Sequence, residues 1–112
     1  MKMKTVMWAV AIGLVLAASC RKQDIRTVII RVPGMKTEAC RERVVAAIGA
    51  TAYGVEMDTV EADVGSRTVT LDYDSMKLSL KNIEAAIAEA GFRANEVPPD
   101  PAARAKLPEE CR

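Results

Sequence analysis

The chain has 112 residues, half of them hydrophobic, which suits one small domain with a modest core. Its 16 basic and 15 acidic side chains alternate along the sequence, so no basic face of the kind that follows a phosphate backbone is evident. We therefore expect no nucleic-acid partner. Histidine is absent, so any bound metal must be held by sulfur or oxygen.

The first 19 residues have the order of a secretory signal: two lysines, an uncharged apolar run from Val6 to Ala18, then small residues. The run holds about 13 residues, shorter than the roughly 20 that a membrane-spanning helix needs. We therefore expect residues 1–19 to be cleaved and the protein to be exported.

The signal ends in "LAASC", which resembles the lipobox of bacterial lipoproteins. The resemblance implies that Cys20 is lipidated and anchors the mature chain to a membrane, facing the periplasm of a bacterial cell envelope. Ala17 departs from the pattern, because that place usually holds leucine. The alternative is plain cleavage after Ser19, which would leave Cys20 an ordinary N-terminal thiol. The sequence does not distinguish the inner from the outer membrane.

Residues 20–26 are a polar tether, and "TVIIRV" after it alternates in the manner of a strand with one buried face. Pro33 and Gly34 end this strand. A helix is predicted to begin near Thr37, whose hydroxyl can cap the first turn, and to fade at Gly49. One stripe of that helix faces inward and consists of Cys40, Val44, Ala47 and Ile48.

The loop-like "GATAYGVEMD" precedes two alternating runs, "TVEADV" and "TVTLDY", which predict a hairpin that turns at Gly65, Ser66 and Arg67. A second helix is predicted from the capping residue Ser79 to Gly91. Its inward stripe consists of Leu80, Ile83, Ile87 and Ala90. "FRANEV" is predicted to be a short last strand.

The element order is therefore β-α-β-β-α-β, which predicts an α+β, ferredoxin-like sandwich over residues 27–97, with both helices on one face of an antiparallel sheet. Residues 98–112 change to "PPDPAARAKLPEECR", rich in proline and charge. We expect this segment to be an extended tail that carries Cys111.

The strand that runs into Pro33, Gly34 and Met35, with a helix just after, resembles the heavy-metal-associated domain family, which includes copper chaperones and the periplasmic mercury-binding protein. The later "VTLDYDSMKLSLKNIEAAIAEAGF" is similar to the second half of that family's domain. The family's loop reads Gly-Met-x-Cys-x-x-Cys, and its two thiolates hold Cu(I) or Hg(II). Here Cys40 takes the last place, but Thr37 replaces the first cysteine.

The resemblance therefore carries over only Cys40 as a metal ligand. If Thr37 caps the helix, the first-turn amides should lower the thiol pKa of Cys40. The alternative is a small buried residue of the core. Met35 offers a thioether, but this methionine usually packs as core in the family. A stronger partner is Cys111, because a tail of about 14 residues at up to ~3.3 Å each can cross the whole domain; the alternative is a free thiol on a disordered terminus.

Two hypotheses follow. In the first, a membrane-anchored protein binds or passes Cu(I) or Hg(II) through reduced Cys40 and Cys111, with a metal-trafficking protein as partner. In the second, Cys40 and Cys111 form a disulfide that staples a metal-free structural or protein-interaction module. We expect no enzymatic activity, because a lone thiol without histidine lacks the base that thiol hydrolases use.

Overall fold

The computed structural model describes residues 22–112 apart from Ala52, so the predicted signal peptide and Cys20 lie outside the described residues. In the described part, no helix is both long and apolar enough to cross a membrane. The elements, in chain order, are β1 (Ile25–Arg31), α1 (Glu38–Thr51), β2 (Val55–Asp63), β3 (Thr68–Asp74), α2 (Leu80–Glu89), α3 (Pro101–Ala105) and a 3₁₀ turn (Glu109–Cys111).

The three strands form one antiparallel sheet in the order β1-β3-β2. Val28 of β1 lies opposite Leu71 of β3, and Ala62 of β2 lies opposite Val69 of β3. β2 begins at Val55, earlier than the sequence predicted, because an irregularity in its register lets the segment before the predicted strand pair with β3 as well. The α+β, ferredoxin-like class predicted from the sequence is confirmed.

The core lies between the sheet and the two long helices, as the alternating strands and helical stripes predicted. Each fully buried aliphatic side chain contributes about 1.5–3 kcal/mol relative to an exposed one. The fully buried aliphatic residues of these elements are Ile30, Val44, Ile48, Val69, Leu71, Ile83 and Ile87.

Both long helices begin where the sequence predicted. α1 follows Thr37, and α2 follows Ser79, whose backbone N–H donates to the Asn82 side chain at 2.9 Å. α2 ends before Gly91, which has φ +99, a left-handed conformation that glycine adopts without strain.

The predicted last strand does not form: within residues 92–97 the structure has only an isolated bridge between Ala94 and Val97. The reason is the turn at Asn95, which has φ 52 and therefore bends the chain back on itself. Asn95 donates its backbone N–H to the Arg31 carbonyl at 2.9 Å, and its side-chain oxygen accepts the Arg31 N–H at 2.9 Å. Residues 92–97 therefore pair with β1 only at its last residue, Arg31.

The tail is not extended. Asp100 caps α3 by accepting the Ala103 N–H at 3.0 Å, and the tail residues Leu107 and Cys111 are buried. Because the chain turns back at Asn95 beside the end of β1, the tail begins near the loop after β1 and does not cross the length of the domain. Proline at the start of α3 suits the first helical turn, where its missing N–H has no cost.

Candidate functional site

Cys40 lies in the first turn of α1, directly after the loop that follows β1. Its backbone N–H donates to the Thr37 hydroxyl at 3.4 Å, and its sulfur lies 3.1 Å from the same oxygen. Thr37 thus occupies the capping position that the sequence predicted. The Cys40 side chain is fully buried.

Cys111, in the 3₁₀ turn of the tail, is bonded to Cys40 by a disulfide with a Cα–Cα distance of 5.5 Å. The two residues are 71 positions apart in the sequence, and Cys111 is 1% exposed. The structure therefore brings together the two cysteines that the sequence singled out. Disulfide-bonded sulfurs do not titrate, so neither is a nucleophile in this state.

The tail fits against the loop after β1 because Gly34 has no side chain. A Cβ built there would lie 2.8 Å from the Cys111 carbonyl oxygen and 3.2 Å from Cδ1 of Phe92. Gly91 makes a similar close approach, since a Cβ on it would lie 2.8 Å from the backbone nitrogen of Arg104. Lys36 adds a hydrogen bond of 2.9 Å from its ammonium group to a main-chain oxygen of Arg112.

Met35 lies elsewhere. Its side chain is fully buried in the hydrophobic core, and its backbone N–H donates to the Val32 carbonyl at 3.0 Å. Met35 is therefore a core residue in the structure, as the alternative to its role as a metal ligand predicted. A thioether enclosed by core residues has little freedom to turn toward a metal.

A carboxylate that the sequence did not single out lies beside the two sulfurs. An oxygen of Glu110 and the sulfurs of Cys40 and Cys111 all lie within 4.8 Å of one another. Glu110 is exposed, and its only signal in the sequence is its place directly before Cys111.

The structure also gathers cations that are scattered in the sequence. A cleft of about 310 Å³ lies between the loop after β1 and the tail, and the Cys111 residue forms part of its wall. Its lining includes five cations, Lys36, Arg67, Arg93, Arg104 and Arg112. They come from positions far apart in the chain, so the alternating charge pattern did not predict their proximity.

The hairpin turn positions one of these cations. Arg67 has φ 55, and its carbonyl oxygen accepts the Val32 N–H at 2.8 Å. Asp63 orders the turn by accepting the Gly65 N–H at 3.0 Å and the Ser66 hydroxyl at 2.8 Å. The Ser66 hydrogen bond, followed by that of Gly65, lowers the pKa of the Asp63 carboxyl below its ordinary value.

No family model matches the chain, and no curated protein matches it either. Solved structures do. The chain resembles a copper-binding domain from HMA7, a P-type ATPase, at 26% identity, with 62% of this chain and 90% of that one covered and a TM-score of 0.57. It shares its fold with the CopZ metallochaperone at 23% identity and a TM-score of 0.55, over 62% of this chain and 98% of that one.

The oxidized form of MerP from Ralstonia metallidurans CH34 is 30% identical. The match covers 64% of this chain and 96% of MerP, with a TM-score of 0.59. A relative this similar over nearly its whole length establishes common family membership, and its fold is the one described above. The chain therefore belongs to the heavy-metal-associated domain family.

Proposed function

We propose that this protein binds and passes a soft metal ion, Cu(I) or Hg(II), through the reduced thiolates of Cys40 and Cys111. One observation carries the proposal: the tail brings the Cys111 sulfur to the Cys40 sulfur at the start of α1. This is the position of the second metal-binding cysteine in the family's loop. The tail thereby supplies the sulfur that Thr37 does not.

The geometry around the two cysteines fits such an ion. With metal–sulfur bonds of ~2.3 Å, a linear two-thiolate site needs a sulfur–sulfur separation of about 4.6 Å. Residues with a Cα–Cα distance of 5.5 Å can reach that separation if a side chain moves to another rotamer once the S–S bond is reduced. Thiolates suit soft ions, whereas the Thr37 hydroxyl is a hard neutral donor.

The surroundings also favour two thiolates. Cys40 lies in the first turn of α1, where free backbone amides and the helix dipole favour a negative sulfur. The Thr37 hydroxyl, 3.1 Å from the Cys40 sulfur, can donate a hydrogen bond to the thiolate. Glu110 is close enough to contribute a third, oxygen ligand to an ion that accepts one.

The proposal includes the location and the role of the chain. The signal-like residues 1–19 and the lipobox-like end at Cys20 favour a lipid-anchored protein that faces the periplasm. In an oxidising compartment the disulfide is the resting state, and a reductant is needed before metal can bind. The role is binding and transfer to a metal-trafficking partner, without catalysis.

The test is a titration of the reduced protein with Cu(I) under anaerobic conditions, in competition with a chromogenic chelator. We expect one ion per chain and loss of binding in both Cys40→Ser and Cys111→Ser. Met35→Leu is the matched control, since it removes a sulfur and nearly conserves volume in the core. Full Cu(I) affinity in Cys111→Ser would show that the tail does not supply a metal ligand.

A second function is favoured by the burial of the disulfide. Both cysteines are at most 1% exposed, and a buried bond that closes a long loop suits a permanent structural cross-link. In that case the domain is a metal-free interaction module. The same titration, repeated with Hg(II), separates the two functions: failure of the reduced, folded protein to bind one equivalent of either ion would favour the structural cross-link.

A further inference from the structure

The cleft beside the disulfide has two walls that come from distant parts of the chain. One wall belongs to the domain and includes Lys36, Arg67 and Arg93; the other belongs to the tail and includes Arg104 and Arg112. The walls meet at Gly34, where the chain backbone approaches the Cys111 carbonyl group too closely for any side chain. The cleft therefore exists because the tail is docked.

The charge of the cleft is strongly one-sided. Five of its lining residues are cations, and no carboxylate side chain is among the described residues that line it. The whole chain has a formal charge of only +1, so this concentration of positive charge is local. A concave surface lined by one sign of charge focuses the electrostatic potential and attracts counter-ions.

Most of these cations lack an acidic partner. Among the described residues, Arg93 pairs with Glu96 at 3.9 Å, and Lys36 donates at 2.9 Å to a main-chain oxygen of Arg112, which is a carboxylate oxygen where the chain ends at this residue. Arg67 and Arg112 each use one donor group on a carbonyl oxygen, and Lys36 uses one on Arg112, which leaves further N–H donors for a ligand. Arg104 has its side chain exposed in the last turn of α3.

We propose that this cleft binds a small multivalent oxyanion of the phosphate class, clamped between Arg67 of the domain and Arg104 of the tail. Guanidinium groups match phosphate oxygens in a two-pronged geometry, and several of them around one cleft favour a ligand with more than one negative charge. A volume of about 310 Å³ is at the small end of ligand sites and suits one or two phosphate groups. Because Cys111 forms part of the cleft wall, the proposed anion site adjoins the disulfide.

The test is isothermal titration of the oxidised full chain with inorganic pyrophosphate and, separately, with glycerol phosphate as a mimic of a lipid headgroup. We expect saturable binding of one anion per chain. Tighter binding of pyrophosphate indicates a soluble phosphate compound as the natural ligand, and tighter binding of glycerol phosphate indicates a lipid headgroup; both results support the site.

The variants Arg67→Gln and Arg104→Gln should each weaken binding roughly tenfold, because each removes a charge-assisted contact from one wall. Arg43→Gln is the matched control: it removes the same charge from an exposed position on α1 outside the cleft. All three side chains are exposed, so thermal unfolding should show that each variant folds.

Three results would overturn the proposal. The first is no saturable binding of either anion at millimolar concentration. The second is equal weakening by Arg43→Gln and Arg67→Gln, which would indicate attraction by net charge alone. The third is an effect of Arg67→Gln with none of Arg104→Gln, because the tail would then take no part in the site.

Discussion

The Thr37 hydroxyl oxygen lies 3.1 Å from the Cys40 sulfur, at the place where the family's loop has its first cysteine. The hydroxyl also accepts the Cys40 N–H at 3.4 Å, so Thr37 retains a capping role while it lacks the thiolate. The second sulfur comes instead from Cys111 in the tail. Two sulfurs that are three residues apart in the family are thus 71 residues apart in this chain.

Restoring the family's loop should release the tail. In Thr37→Cys, the new thiol lies close to Cys40 and competes with Cys111 for it, because both now reach the same sulfur. We expect peptide mapping to find a fraction of chains with Cys111 free. The reduced variant should bind Cu(I) about tenfold more tightly, since both loop ligands are local and no longer depend on a docked tail.

Thr37→Ser is the control for that substitution, because serine keeps the hydroxyl cap and adds no sulfur. It should leave both the disulfide pairing and the metal affinity unchanged. If Thr37→Cys kept the wild-type affinity and left Cys111 fully bonded, the loop position would not be equivalent to the family's first ligand.

The disulfide should be a major source of stability. Closing a loop of about 72 residues stabilises the fold by about 4 kcal/mol in the chain-entropy model. We expect the free energy of unfolding in urea to fall by roughly that amount when the bond is reduced, in a Cys20→Ala background that prevents exchange with a third thiol. The reduced protein has the same side chains as the oxidised one, so the comparison isolates the bond. Coincident unfolding curves would contradict the expectation.

Gly34 should control how tightly the tail is docked. In Gly34→Ala the added methyl group would lie 2.8 Å from the Cys111 carbonyl oxygen, so backbone must shift, at a cost of about 1–3 kcal/mol. We expect a lower melting temperature and faster reduction of the disulfide by dithiothreitol. Gly49→Ala should instead raise the melting temperature, because Gly49 lies in α1 and alanine favours helices by about 0.5–1 kcal/mol. Its added Cβ meets only the flexible end of Met57, at 3.4 Å. A slower reduction in Gly34→Ala would argue against this role.

The hairpin turn should respond to acid. Hydrogen bonds from Ser66 and Gly65 lower the pKa of Asp63 in the folded state, so its contribution is present above the carboxyl's ordinary pKa and is lost as the pH falls through the lowered value. We expect Asp63→Asn to reduce stability slightly at neutral pH and to flatten the decrease seen on acidification. Urea unfolding from pH 6 to pH 2 measures this, with Asp58→Asn, on an exposed strand position, as the control. An unchanged pH profile in Asp63→Asn would show that the turn does not depend on the charge.

The elements with strong periodicity were predictable from the sequence. The alternation around Val69 and Leu71, the inward stripes of both long helices and the caps at Thr37 and Ser79 are local patterns. The structure has them at these places, except that Ala47 of the α1 stripe is half-buried and outside the core cluster. Local patterns also indicated Cys40 through its loop and Cys111 through its chemistry. The predicted last strand does not form because Asn95 adopts a left-handed turn. That turn depends on contacts with Arg31 of β1, and hydrophobic periodicity does not reveal such contacts.

The sequence by itself determined the three antiparallel strands, the two long helices and the choice of two cysteines as the candidate site. Only the tertiary structure decided that the tail folds as a short helix and a 3₁₀ turn, that Glu110 lies beside the sulfurs and that five cations share one cleft. The hydrophobic periods of helices and strands reflect which side of each segment faces the core, so they can be recognised in a short stretch of sequence. The position of the tail depends on a close approach at Gly34 and on a bond between residues 71 positions apart, which exist only after the domain has folded.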